Sequence, residues 1–96
     1  MPQFLVLAKD FKDEEALARR LAVRNAHLER MRIEKNAGIF ITGGAQLNEA
    51  GAMAGSMLLV NGENKEAVKA WLMVDPYITG KVWEEVEIVP FKIADI

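Results

Sequence analysis

The sequence predicts an α+β fold running β-α-β-β-α-β, a ferredoxin-like four-stranded antiparallel sheet with two helices on one face. Three observations predict it. Short runs rich in apolar residues recur at Gln3–Ala8, Ile39–Thr42, Ser56–Val60 and Glu85–Ile88. Two stretches with helical spacing separate the first run from the second and the third from the fourth. The chain has 96 residues, which suits one domain over 1–96 and leaves no room for a second.

The elements follow in order. Gln3–Ala8 shows no polar alternation, as expected for a strand covered on both faces. A polar turn at Asp10–Lys12 leads to a helix capped by Asp13 or a neighbour and reaching about Asn36. Glu14 and Glu15 fall in its first turn, where the helix dipole favours acids, and Arg24, Arg30, Arg32 and Lys35 crowd the later turns. Its apolar stripe reads Leu17, Leu21, Leu28 and Met31. Gly38 suits a left-handed exit. Ile39–Thr42 is the second strand, broken by Gly43-Gly44, and residues 45–55 form a loop of small residues. Ser56–Val60 is the third strand, and Asn61-Gly62 is a turn. Asn64 caps the second helix, whose buried face is Ala67, Val68, Trp71 and Leu72 and which Pro76 ends. The last strand, around Glu85–Ile88, alternates as an edge strand with one wet face does.

Two helices cover only one face of such a sheet, yet the first and third strands carry apolar side chains on both. Leu5 and Leu7 oppose Phe4 and Val6, and Met57 and Leu59 oppose Leu58 and Val60. A second sheet from an identical subunit is the natural cover, so the expected state is a homodimer through the open face. A hydrophobic content of 51% agrees with this.

Composition excludes several function classes. There is no cysteine, hence no thiol nucleophile and no thiolate metal site, and one histidine is too few for a zinc site. The net charge of −2 lacks the basic footprint of a nucleic-acid binder. No apolar run is long enough to span a bilayer, and the first residues carry no basic region before their apolar run, so neither membrane nor signal peptide is expected and the cytosol is the expected compartment. No P-loop, dinucleotide fingerprint or G-x-S-x-G turn occurs.

What remains is a small set of polar residues. His27 is the one histidine, three residues after Arg24 and seven after Arg20 on one helix face. Arg24 falls within the Leu21–Leu28 stripe. It is either a cationic pocket floor that binds an anionic group while His27 moves a proton, or a helix-margin residue with its head in water. Asp75 falls on the buried side of the second helix if that helix is continued. It is either a partner that orients His27 or a turn residue before Pro76. The hydroxyls of Ser56 and Tyr77 could line the same pocket.

Several segments together resemble one family. The helix segment Arg20-Leu21-Ala22-Val23-Arg24-Asn25-Ala26-His27-Leu28, the Gly55-Ser56 pair, Ala70-Trp71 with Asp75-Pro76-Tyr77, and the closing Glu87-Ile88-Val89-Pro90-Phe91-Lys92 are similar, in order and spacing, to the YciI-like (YCII-related) proteins. The resemblance implies a ferredoxin-like subunit that dimerises into an α+β barrel and a site built on the pair His27 and Asp75, with Arg24 and Ser56 at positions that could line the same pocket; Arg24, Ser56 and Tyr77 are the expected substrate-binding residues. Gly43-Gly44-Ala45-Gln46 departs from the family, which often has Gly-Pro there, so the rim of the pocket differs. Two functional readings follow. One is a cofactor-free, metal-free enzyme of lyase or isomerase type, moving a proton on a small anionic or aromatic metabolite. The alternative is a non-catalytic small-molecule-binding or interaction module of the same dimeric fold.

Overall fold

A computed structural model describes residues 1–96. The elements are β1 (Gln3–Asp10), α1 (Ala16–Asn36), β2 (Phe40–Leu47), β3 (Met53–Asn61), α2 (Lys65–Met73), α3 (Pro76–Thr79) and β4 (Trp83–Phe91). The strands form one antiparallel sheet in the order β2-β3-β1-β4, which is the ferredoxin-like arrangement, with β4 on an edge as its alternation predicts.

The register fixes which side chains share a face. Val6 of β1 lies beside Leu58 of β3 and Ile88 of β4, and Phe4 lies beside Val60. These residues, with Ala8, face the helices and join Met31, Val68, Leu72, Tyr77, Val82 and Trp83 in one core. Each large side chain so buried contributes about 1.5–3 kcal/mol. Leu5 pairs with Leu59 and Val89, and Leu7 with Met57, on the opposite face, where no helix of the chain lies.

Four expectations need correction. Helix α1 begins at Ala16, so Glu14 and Glu15 precede it, and its N-cap makes no side-chain bond. Asp13 is instead held outside the helix. Arg19 donates to both its oxygens at 2.8 Å, and that partner keeps the Asp13 carboxyl down at about 2.

The buried face of α1 is also rotated. Ala16, Arg20, His27 and Met31 are buried, whereas Leu17 and Leu21 of the expected stripe are 40% and 54% exposed and Leu28 is half-buried. At ~100° per residue the two stripes lie roughly a quarter-turn apart. Polar Arg20 and His27 take the sheet-facing positions because fixed partners meet them there, described below.

Gly43 and Gly44 do not break β2. The strand continues to Leu47 and β3 starts at Met53, leaving a tight turn where an eleven-residue loop was expected. In that turn the Asn48 side chain accepts from Ala50 N and Ala52 N, both at 3.0 Å, and Gly51 takes a φ of +82°. The backbone at Gly43 passes so close to β3 that a Cβ would overlap the carbonyl oxygen of Met57, so this strand pairing admits glycine there.

Finally, α2 ends at Met73, before Pro76. Of its expected buried face, Val68 and Leu72 are buried, Trp71 is half-buried and Ala67 is exposed. Pro76 opens a short α3 in the first-turn position that tolerates proline, and Asp75 is its N-cap. The expected caps at Asn64, which accepts from Ala67 N at 2.8 Å, and the left-handed Gly38, at φ +81°, are as read.

Candidate functional site

The site lies between α1, the helix-facing side of β2 and β3, and α3. Each side chain in it is placed by a local rule. Asp75 sits at the start of α3, so its carboxylate accepts from the Tyr77 N–H at 2.9 Å, as an N-cap does. Pro76 holds the next backbone angle. That combination aims the carboxylate at α1 rather than at solvent, and Asp75 is 0% exposed.

On α1, His27 meets it. Nδ1 of His27 lies 2.8 Å from Asp75 Oδ1, across 48 residues of sequence. Arg30, one turn later, donates from Nη1 to Asp75 Oδ2 at 2.9 Å and from Nη2 to the Trp71 carbonyl, with its guanidinium 4.5 Å from the centroid of the Trp71 ring. Burial opposes ionisation of Asp75. The hydrogen bond and charge of His27, the Tyr77 N–H and the Arg30 guanidinium together outweigh it and hold the carboxyl below its usual value. An ionised carboxylate only accepts, so Nδ1 of His27 carries a proton and donates it. In the neutral ring Nε2 is then the bare nitrogen. Nε2 has no hydrogen-bond partner in the protein and is not sealed from solvent.

The imidazole is held flat as well. Tyr77 stacks on it with ring centroids 3.9 Å apart at 13°, and Trp83 meets both rings edge-on. Burial pushes the Tyr77 phenol above its ordinary value, against the Arg20 and Arg24 charges, so it is neutral at pH 7. Its hydroxyl has no partner in the protein.

A second polar cluster adjoins the first. Arg20, 2% exposed, donates from Nη1 to both oxygens of Asp10 at 2.9 Å and from Nη2 to Ser56 Oγ at 2.9 Å, and its guanidinium lies 4.7 Å from the Tyr77 ring centroid. Trp83 Nε1 also donates to Ser56 Oγ, at 3.1 Å. Arg20 Nε is buried without a partner.

Of these residues, Arg20, His27, Ser56 and Tyr77 open onto one cavity of about 270 Å³. Its lining includes His27, Ser56 and Tyr77, the cations Arg20, Arg24, Arg32 and Lys35, and no carboxylate. Phe40, Gly43, Gly44 and Ala45 form its β2 wall, and the last three carry no bulky side chain to fill the space. No three His, Cys, Asp or Glu side chains are grouped so as to hold a metal ion.

The structure therefore brings together all five residues singled out from the sequence. His27 and Asp75 touch, Tyr77 stacks on His27, and Ser56 and Arg24 line the same cavity. Arg24 is half-buried and makes no hydrogen bond or ion pair within the chain, in contrast to Arg20 and Arg30. Sequence reasoning missed Arg30 and Asp10 and understated Arg20. Arg20 and Arg30 lie two turns before and one turn after His27 on the same helix line, a periodicity that counts once His27 is taken as buried. Nothing local marks Asp10.

A ferredoxin-like sheet carrying a buried His–Asp pair beside a cation-lined cavity defines the class: a small α+β protein of the ferredoxin-like arrangement. The chain belongs to the YCII-related domain family, whose model matches residues 3–92. Protein YciI of Escherichia coli and Protein YciI of Shigella flexneri are each 36% identical to it over 95 residues, 93% of this chain and 95% of theirs. Among solved structures, 5-chloro-2-hydroxyhydroquinone dehydrochlorinase (TftG) from Burkholderia phenoliruptrix, in complex with 2,5-dihydroxybenzoquinone, has a similar fold. Its TM-score is 0.80 at 23% identity, covering 96% of this chain and 95% of that one. A dimeric ferredoxin-like protein from an uncultured marine organism has a TM-score of 0.58 at 16% identity, covering 98% and 99%. No helix of this chain is long and apolar enough to cross a membrane.

Proposed function

We propose that this protein is a cofactor-independent enzyme of lyase or isomerase type that moves a proton on a small anionic or aromatic metabolite, and that it works as a homodimer. The observation that carries the reading is the one-sided imidazole of His27. Its Nδ1 is committed to a buried, ionised Asp75, while Nε2 stands free at a cavity lined by cations. A base so arranged accepts a proton at Nε2, and Asp75 stabilises the imidazolium that forms and keeps the ring oriented. Returning the proton to another atom of the same molecule completes an isomerisation. Returning it to a leaving group completes an elimination. Arg24 supplies a charge for the anionic part of the guest, and Ser56 and Tyr77 supply hydroxyls.

The likeness to a dehydrochlorinase bound to a dihydroxybenzoquinone supports a phenolic or quinonoid guest. The dimer is supported by the apolar open face, with Leu5, Leu7, Met57, Leu59 and Val89 side by side, and by solved neighbours described as dimeric.

Native mass spectrometry of the purified protein, followed by assays on hydroxylated quinones and phenols, tests the reading. A substrate should turn over, and His27→Gln should reduce its turnover at least a hundredfold without unfolding the chain. A folded His27→Gln that turns the same substrate over at the normal rate removes His27 from the mechanism. Tight retention of a metabolite without turnover assigns the pocket to a binding module instead.

A further inference from the structure

Ser56 is 2% exposed, and its Oγ accepts two hydrogen bonds, from Arg20 Nη2 and Trp83 Nε1. A hydroxyl oxygen has two lone pairs and one hydrogen. Both lone pairs of Ser56 are occupied, so its remaining capacity is donation. No atom of the protein accepts that hydrogen, and Ser56 lines the cavity. The guanidinium that donates to Oγ is itself fixed, because Asp10 accepts from Arg20 Nη1 through both carboxylate oxygens. The guanidinium's charge-assisted bond to Oγ also polarises the O–H and strengthens it as a donor.

We infer that Ser56 is an oxyanion donor: its O–H meets a substrate oxygen that gains negative charge when His27 removes a proton from the same molecule. The inference rests on the proposed function and names its substrate class, an enolisable carbonyl compound or a hydroxylated aromatic ring. In the carbonyl case the C–H bond breaks and its proton goes to Nε2 of His27. The electron pair forms the new C=C bond, and the C=O π pair moves onto oxygen, where Ser56 donates to it. In the phenol case the O–H proton is transferred and the charge stays on the same oxygen. Nothing is oxidised or reduced. His27 and Ser56 both contact Trp83, and Tyr77 links the imidazole to Arg20, so one small conjugated molecule in a cavity of about 270 Å³ can reach both groups. A fixed donor at the atom where charge develops is the arrangement that lowers such barriers most.

The test uses 4-nitrophenol as a probe of bound oxyanion, since its phenolate absorbs visible light and its phenol does not. Titrated across pH against the full chain, the bound probe should ionise at least one pH unit below the free probe. Ser56→Ala should abolish most of that shift and weaken phenolate binding about tenfold. Because Ser56→Ala strips Arg20 and Trp83 of their acceptor, Ser56→Cys is measured beside it. This variant keeps an atom between them and loses the strong donor, and thermal melts identify the folded samples. The Ser56-dependent part of the shift should persist in His27→Gln, because the donor does not depend on the imidazole.

Failure of the folded wild type to bind the phenolate at millimolar concentration overturns the inference. So does an equal shift in wild type and either folded Ser56 variant. Loss of the shift in Ser56 variants alongside normal turnover in His27→Gln upholds Ser56 and sinks the base. An essential His27 with an unmoved shift in Ser56 variants does the reverse.

Discussion

Replacing Asp75 by asparagine probes the centre of the structure by exchanging one oxygen for an NH2 group. Asparagine caps a helix as well as aspartate does, so the start of α3 should survive. The amide oxygen of the variant can still accept from His27 Nδ1 and from the Tyr77 N–H, which now meet Asp75 Oδ1 at 2.8 and 2.9 Å. The new NH2 group then faces Arg30 Nη1, which donates to Oδ2 at 2.9 Å in the native chain, so two donors oppose each other in a site that is 0% exposed. Removing one partner of a buried charge pair costs about 3–5 kcal/mol. The half-open Arg30, with 17% of its side chain exposed, can partly return to water, which favours about 3 kcal/mol.

The assay is urea unfolding at one fixed protein concentration, since dimerisation would make stability depend on concentration. With a slope of about 1.5 kcal/mol/M, the midpoint should fall by about 2 M. The pH dependence has a definite sign. The folded pKa of Asp75 is lowered, so its contribution is present above the unfolded carboxyl value of about 3.9 and is lost as pH falls through the folded value. The gap between wild type and variant should therefore be constant from neutral pH down to about 5 and should close below about 4. A gap under about 1 kcal/mol, or one that stays constant to the lowest pH at which both proteins fold, refutes the account of Asp75 as an ionised hub.

Three further outcomes are expected. Gly43→Ala should destabilise the chain by about 2 kcal/mol or more in thermal melts, because its Cβ would overlap Met57 O; a loss under about 0.5 kcal/mol would mean β2 shifts freely. Leu7→Lys, on the open sheet face beside Met57 and Glu87, should convert a dimer to a folded monomer in analytical ultracentrifugation, and an unchanged dimer would place the interface elsewhere. Arg20→Met should cost about 3–5 kcal/mol by leaving Asp10 buried and alone, and the double variant Arg20→Met with Asp10→Leu should recover at least half of it; equal losses in the two would argue against a buried ion pair as the source.

Much of the fold was legible in the sequence because strands and helices are written in local periodicity. The run from Phe4 to Ala8 is apolar on both faces and sits in the middle of the sheet, and Asn64 and Gly38 punctuate the helices as their chemistry requires. Hydrophobic patterning failed where polar residues are buried with partners. Leu17 and Leu21 carried the periodic signal on α1, yet Arg20 and His27 face inward, since Asp10, Ser56 and Asp75 compensate their desolvation. Glycine misled for a related reason: Gly43 marks a close approach between strands, and a lone sequence does not distinguish that from a turn.

By itself, then, the sequence determined the order of elements, the two-faced apolar sheet and, through its resemblance to a family, the identity of His27 and Asp75. The tertiary structure alone decided that these two meet, that Arg30 donates to the carboxylate from the other side, and that Arg20 and Trp83 leave the Ser56 hydroxyl with only a proton to give. The physical reason is range. Periodicity and capping act within a few residues, whereas the His27–Asp75 bond spans 48 positions and depends on how α1 docks across the sheet.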